Sequence, residues 1–98
     1  MEAKTKRQKR AETLVLEAMN RAVALAGRKG GDYGHFTEYP LAAVAGLGLV
    51  KAKRILNLST KGGSPNFESL EDSCVDLVNY ASFCYAIVRL MKEEAGNG

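Results

Sequence analysis

Glu68, Asp72, Asp76 and Asn79 recur about one turn apart in the stretch FESLEDSCVDLVNYASF, residues 67–83. At about 100° per residue, these four positions share an arc of roughly 80° on a helix, with apolar residues on both sides. Carboxylates at the edge of a packed surface need a cation, because an unpaired charge is costly to desolvate. Two kinds of cation fit. Lys51, Lys53 and Arg54 of the preceding segment can pair with the acids as a network of ions between helices, or a divalent metal such as Mg²⁺ can sit between Asp72 and Asp76, with phosphate and water completing its octahedron. A solvated polar face is the third reading of the same pattern, and the sequence leaves all three open.

A second group of residues suits an anion. Lys51 and Arg54 supply fixed positive charge three residues apart, and Arg can bind two phosphate oxygens at once. The segment RKGGDYGHFTEYP, residues 28–40, reads as a loop. Its Gly30, Gly31 and Gly34 let backbone N–H groups turn toward an anion, Arg28 and Lys29 raise the local potential, Tyr33 or Phe36 can stack on a base, and His35 can donate to a phosphate. Against this, a lone His in a polar loop is often only exposed, and Gly-Gly often marks only a connection. The segment GLGLVK follows no strand and has neither a dinucleotide-binding nor a P-loop spacing. One His and two Cys without a C-x-x-C pair give a zinc site nothing to be built from. Cys74 and Cys84 stand roughly 15 Å apart along a helix axis, out of disulfide reach within the chain, and are expected to be core thiols.

The elements that must position these residues are helices. From about residue 8 to 27, Leu14, Ala18, Ala22 and Leu25 recur at helical spacing, Ala11, Val15 and Met19 widen the stripe, and Gly27 is a natural stop. Pro40 opens a second helix through about Thr60. Gly46 and Gly48 inside it cost about 1 kcal/mol each against Ala, which implies either a close helix crossing or a break near residue 46. TKGGSPN makes the next turn, and Ser69 or Asn66 can cap a third helix that runs to about Glu94. There Leu70, Cys74, Leu77, Ala81, Cys84, Val88 and Met91 alternate by four and three, a heptad seam, while Phe83, Ile87 and Leu90 form a second apolar line. The expected fold is all-α: three main helices, with a fourth if the chain breaks near Gly46, in a bundle completed by oligomerisation.

Composition bounds the rest. The chain has 98 residues, no Trp, seven Phe or Tyr, and a net charge of +3. A chain of this size buries only about 60 to 65% of its unfolded surface, a marginal core that favours a homo-oligomer. The first ten residues hold five basic residues and one acid, and the other 88 sum to −1. Residues 1–10 therefore read as a basic tail, 11–94 as a single helical domain and 95–98 as a disordered end. Such a tail is more often solvated than bound to nucleic acid or membrane. No apolar run approaches membrane-spanning length and no secretory leader is visible, so a cytoplasmic location is expected.

Three motifs in order, DYGH at 32–35, LVKAKRI at 49–55 and EDSCVDLVNYA at 71–81, resemble small, mostly phage-encoded proteins related to the nucleotide modification associated domain 1. Those proteins are in turn similar to the all-α nucleoside triphosphate pyrophosphohydrolases of the MazG type. The resemblance covers roughly residues 12 to 90. It implies an oligomeric helical fold that handles a nucleotide or nucleotide-derived molecule in a pocket made by helices two and three and the loop before them. Asp32, Tyr33, Gly34 and His35 match the loop motif, Lys51 and Arg54 the Lys-x-x-Arg element, and Asp72, Asp76 and Tyr80 the third-helix motif, with Asn79 beside them. The pyrophosphohydrolases bring a pair of acids from each of two helices to Mg²⁺, whereas Leu49, Val50, Lys51 and Ala52 stand where the first pair belongs. The expectation is a phage-type protein that binds a phosphorylated or signalling nucleotide without hydrolysis, requires no cofactor, and acts in sequestration or anti-defence in the host cytoplasm. Mg²⁺ would enter through Asp72 and Asp76. A Mg²⁺-dependent pyrophosphohydrolase is the alternative, and a nucleic-acid-binding accessory protein, through the tail, a second.

Overall fold

The computed structural model describes residues 3–97, with backbone alone over 28–33 and at 97. The chain is all-α: helix α1 spans Lys6–Tyr33, a single 3₁₀ turn spans Phe36–Glu38, α2 spans Leu41–Thr60 and α3 spans Phe67–Asn97. There is no strand among the described residues.

α1 is longer at both ends than expected. At its start, Thr5 Oγ1 accepts from the Gln8 N–H at 3.1 Å, and Gln8 Oε1 accepts from the Thr5 N–H at 2.8 Å. This reciprocal capping box satisfies two otherwise orphaned donors and draws most of the basic segment into the helix. At the other end the helix passes Gly27, Gly30 and Gly31, read from sequence as a stop and a loop, and ends at Gly34, where φ is 78°. Among the described residues only Gly34 and Gly63 have positive φ. Glycine lowers helix propensity without ending a helix; the chain leaves it where a residue adopts a non-helical conformation.

α2 starts from Pro40, which lies just outside the helix as its N-cap, and runs without interruption through Gly46 and Gly48. No fourth helix forms. Gly48 is buried against α3, where an added Cβ would lie 3.5 Å from Tyr80 Cβ and 3.6 Å from Leu77 Cδ1. The close crossing is therefore the reason for this glycine, while nothing stands within 4 Å of a Cβ at Gly46. Asn66 caps α3, with its Oδ1 accepting from the Ser69 N–H at 3.1 Å. α3 continues past Glu94 to Asn97, with only Gly96 to disfavour it.

α3 is the central element, packed chiefly on α2 and less extensively on α1. The buried apolar residues are Ala22, Val44, Val75 and Ile87, joined by Ser73 and Asn79. This core is small, and the expected burial of the heptad seam is corrected accordingly. Leu70, Leu77 and Cys84 are half-buried, but Cys74, Ala81, Val88 and Met91 are exposed, so Cys74 is not a core thiol. Two neighbouring helices cannot cover three faces of α3. The Phe67–Gly96 stretch is also long and apolar enough, by length and composition, to cross a membrane, contrary to the sequence expectation. It packs on two other helices and carries Glu68, Glu71, Asp72 and Asp76 near its start.

The molecule is extended. Its radius of gyration is 16.5 Å, where a compact chain of this length has about 12.6 Å. Its accessible surface is 7923 Å², where a monomer of this mass exposes about 5,500 Å².

Candidate functional site

Gly48 brings α2 close enough to α3 for short reach between their polar edges. One turn further along α2, Lys51 Nζ lies 3.0 Å from Asp76 Oδ2, with the two side chains 30% and 18% exposed. A pair this enclosed is screened less by water than a surface pair, so its attraction offsets part of the desolvation of both charges. Arg54 stands three residues beyond Lys51 and is exposed.

The neighbouring acid behaves differently. Asp72 reaches α1, with Oδ1 3.5 Å from Arg21 Nη2, and both side chains are about half exposed. Such a contact contributes between about 0 and 1 kcal/mol. Glu68 lies in the first turn of α3, where a carboxylate favours the helix dipole. Asn79 is buried between the helices, and its backbone carbonyl accepts from Ser82 Oγ at 2.8 Å. The polar ribbon is thus divided: one acid is directed to α2, one to α1, and its amide is in the core.

Aromatic rings bring the segment after α1 to the same region. Phe36 stacks on Phe83 of α3 with ring centroids 4.5 Å apart and planes 6° apart, and Tyr80 meets Phe83 edge-on at 6.4 Å. His35 stacks on Phe36 at 4.5 Å. Such pairs add about 0.5 to 1.5 kcal/mol beyond area burial and hold the 3₁₀ turn on α3. His35 caps that turn, its Nδ1 accepting from the Thr37 N–H at 3.3 Å. Nδ1 also lies 2.7 Å from Thr37 Oγ1; in the tautomer in which Nδ1 accepts, Nε2 carries the ring proton and can donate to an anion. Gly34 has a structural reason of its own: besides its positive φ, a Cβ there would lie 2.5 Å from Glu38 Oε2.

Of the residues singled out from sequence, Lys51 and Asp76 meet directly, Tyr80 joins His35 through Phe83 and Phe36, and Asp72 pairs away toward α1. The side chains of Asp32 and Tyr33 lie outside the described residues; their backbone forms the last turn of α1. Sequence reasoning missed Arg21 as the partner of Asp72, and Phe83 as the ring that anchors the turn. The first pairing spans 51 residues and left no local signal. The second left only a Phe on the apolar line of α3.

Mg²⁺, which the resemblance implies, is poorly served. Among the described residues no three His, Cys, Asp or Glu side chains come together. Asp72 and Asp76 are each drawn to a cationic side chain, and α2 offers no acid nearby. The donor set suits an anion beside Lys51 and Arg54 better than a divalent cation between the aspartates. Compared with known protein families, curated proteins and solved structures, the chain matches none.

Proposed function

We propose that the protein binds a phosphorylated nucleotide, or a molecule derived from one, at the α2–α3 seam and does not hydrolyse it. The observation that carries the reading is the half-buried Lys51–Asp76 pair, one turn from an aromatic group made by Tyr80, Phe83, Phe36 and His35. A phosphate can take the place of the Asp76 carboxylate at Lys51, and Arg54 can add a second cation. The exposed His35 ring, stacked by one face on Phe36, offers its other face to a base, and in one tautomer its Nε2 offers a donor. The resemblance of the three motifs to nucleotide-handling helical proteins points the same way. In this reading the protein acts as a homo-oligomer in the cytoplasm, and a phage origin would make sequestration of a host signalling nucleotide its role.

Hydrolysis is the second reading. It would require Asp72 and Asp76 to leave Arg21 and Lys51 and gather around Mg²⁺ with donors from elsewhere. A third reading gives these ion pairs a purely architectural role.

A thermal-shift screen of nucleoside mono-, di- and triphosphates and cyclic nucleotides, with and without Mg²⁺, separates the three. Ligand at 100 times its dissociation constant adds about 2.7 kcal/mol of stability. A shift independent of Mg²⁺, with the nucleotide recovered intact, is the expected result. Release of pyrophosphate with Mg²⁺ present would establish the hydrolase instead, and no shift with any nucleotide would leave the ion pairs as architecture.

A further inference from the structure

We infer that the apolar α2–α3 groove, which Tyr80 lines at one edge, is the seat for α1 of a second copy of this chain, and that two copies exchange α1 reciprocally. The groove has a volume of about 340 Å³, and the small residues Ala45, Gly48, Ala52 and Ala81 stand there beside the larger Leu49, Leu77 and Tyr80. Its surface is shallow, open and apolar, and can take apolar side chains from a neighbouring helix.

The matching surface is on α1. Val15, Leu16, Met19 and Val23 are all more than half exposed, and they share an arc of roughly 100° on the helix. α1 meets α3 around Arg21 and Ala22, and its stripe from Val15 onward is left bare. The chain therefore carries a ridge of large apolar side chains on one helix and a shallow apolar furrow between the other two.

Area identifies the occupant as a second copy. The accessible surface of 7923 Å² exceeds the value for a compact monomer by about 2,400 Å². An obligate dimer buries about 1,000 to 2,500 Å² per chain, so one partner of this size accounts for the whole excess. Within the chain, only 11% of the apolar window in α3 is buried. Seating groove on groove would set two furrows together and leave both α1 ridges in water. Reciprocal exchange covers ridge and furrow in both copies through one two-fold axis.

This inference rests on the self-association proposed above and not on the nucleotide. Cys84 lines the groove and serves as a reporter. In the full chain, with exposed Cys74→Ser, cysteine is placed in turn at Val15, Leu16 and Met19. A disulfide needs Cα atoms about 4.4–6.8 Å apart. Under mild oxidation at least one variant is expected to give a covalent dimer that disappears when Cys84→Ala is added. In parallel, Ala81→Arg, exposed in the single chain, is expected to keep its helical circular dichroism and sediment as a monomer. No cross-link to Cys84 in any variant, or an Ala81→Arg chain that still dimerises, would overturn this seating while leaving self-association intact. An unmodified chain that sediments as a monomer would overturn both. One that also co-floats with phosphatidylcholine–phosphatidylglycerol vesicles would make a membrane the cover for these faces.

Discussion

At the residue scale, the division of the two aspartates governs what the site can do. Lys51→Ala removes the cation assigned to phosphate, and hydrogen bonds to charged groups contribute about 1.5 to 3 kcal/mol. Nucleotide affinity measured by calorimetry should fall by about 10- to 150-fold, and unchanged affinity would remove Lys51 from the site. Asp76→Asn tests the metal question from the other side. Asp76 orients Lys51 at 3.0 Å, so its loss should change affinity to the same extent in EDTA and in Mg²⁺. A loss confined to Mg²⁺ would show that the carboxylate binds metal. Asp72→Asn should have little effect in either buffer, because its contact with Arg21 is 3.5 Å long and exposed. A pairing between the α2 cations and the α3 acids was one of three readings open in the sequence, and nothing there singled out Lys51 with Asp76 from Lys53, Arg54 and the other acids. Asp72 was not separable from Asp76 by the same reasoning, since both share one ribbon and only the position of α1 distinguishes them.

At the element scale, the periodic apolar stripes of α2 and α3 made those helices legible, and Asn66 could be named as one of two possible caps. α1 was misjudged where local chemistry outweighs pattern. Thr5-x-x-Gln8 is a capping signature that a reading focused on charge overlooked, and Gly30-Gly31 looked like a loop although no residue there leaves helical geometry. The α2 glycines separate two effects. Gly46→Ala meets nothing within 4 Å, so it should raise stability by about 0.4 to 1 kcal/mol through helix propensity and the unfolded state. Gly34→Ala forces a Cβ into positive φ and against Glu38, and should lower stability by at least about 1 kcal/mol. Thermal melts of the two variants should therefore move in opposite directions. If both moved upward, Gly34 would not be the fixed end of α1.

At the scale of the whole molecule, the excess surface and the partly exposed heptad seam have one physical cause: two flanking helices cannot enclose a central helix that is apolar almost all round in its middle turns. The sequence already carried this, since two apolar lines on one helix imply covers on both sides, but it could not tell whether α1, α2 or another chain supplies each cover. The structure assigns α2 and α1 to parts of α3 and leaves Ala81, Val88 and Met91 open. If a second copy closes them, association adds to the stability of the folded chain, and that stability depends on chain concentration. Raising the concentration 100-fold then favours the dimer by about 2.7 kcal/mol. Two chains of this length unfold with about 400 cal/mol/K of entropy, so the melting temperature should rise by about 5 to 10 °C. Calorimetric scans of ligand-free protein across that concentration range provide the measurement, with Ala81→Arg as the comparison. The unmodified chain should show the rise, and the variant a lower melting temperature that does not change with concentration. A flat response in the unmodified protein would mean that the small core around Ala22, Val44, Val75 and Ile87 holds the fold by itself.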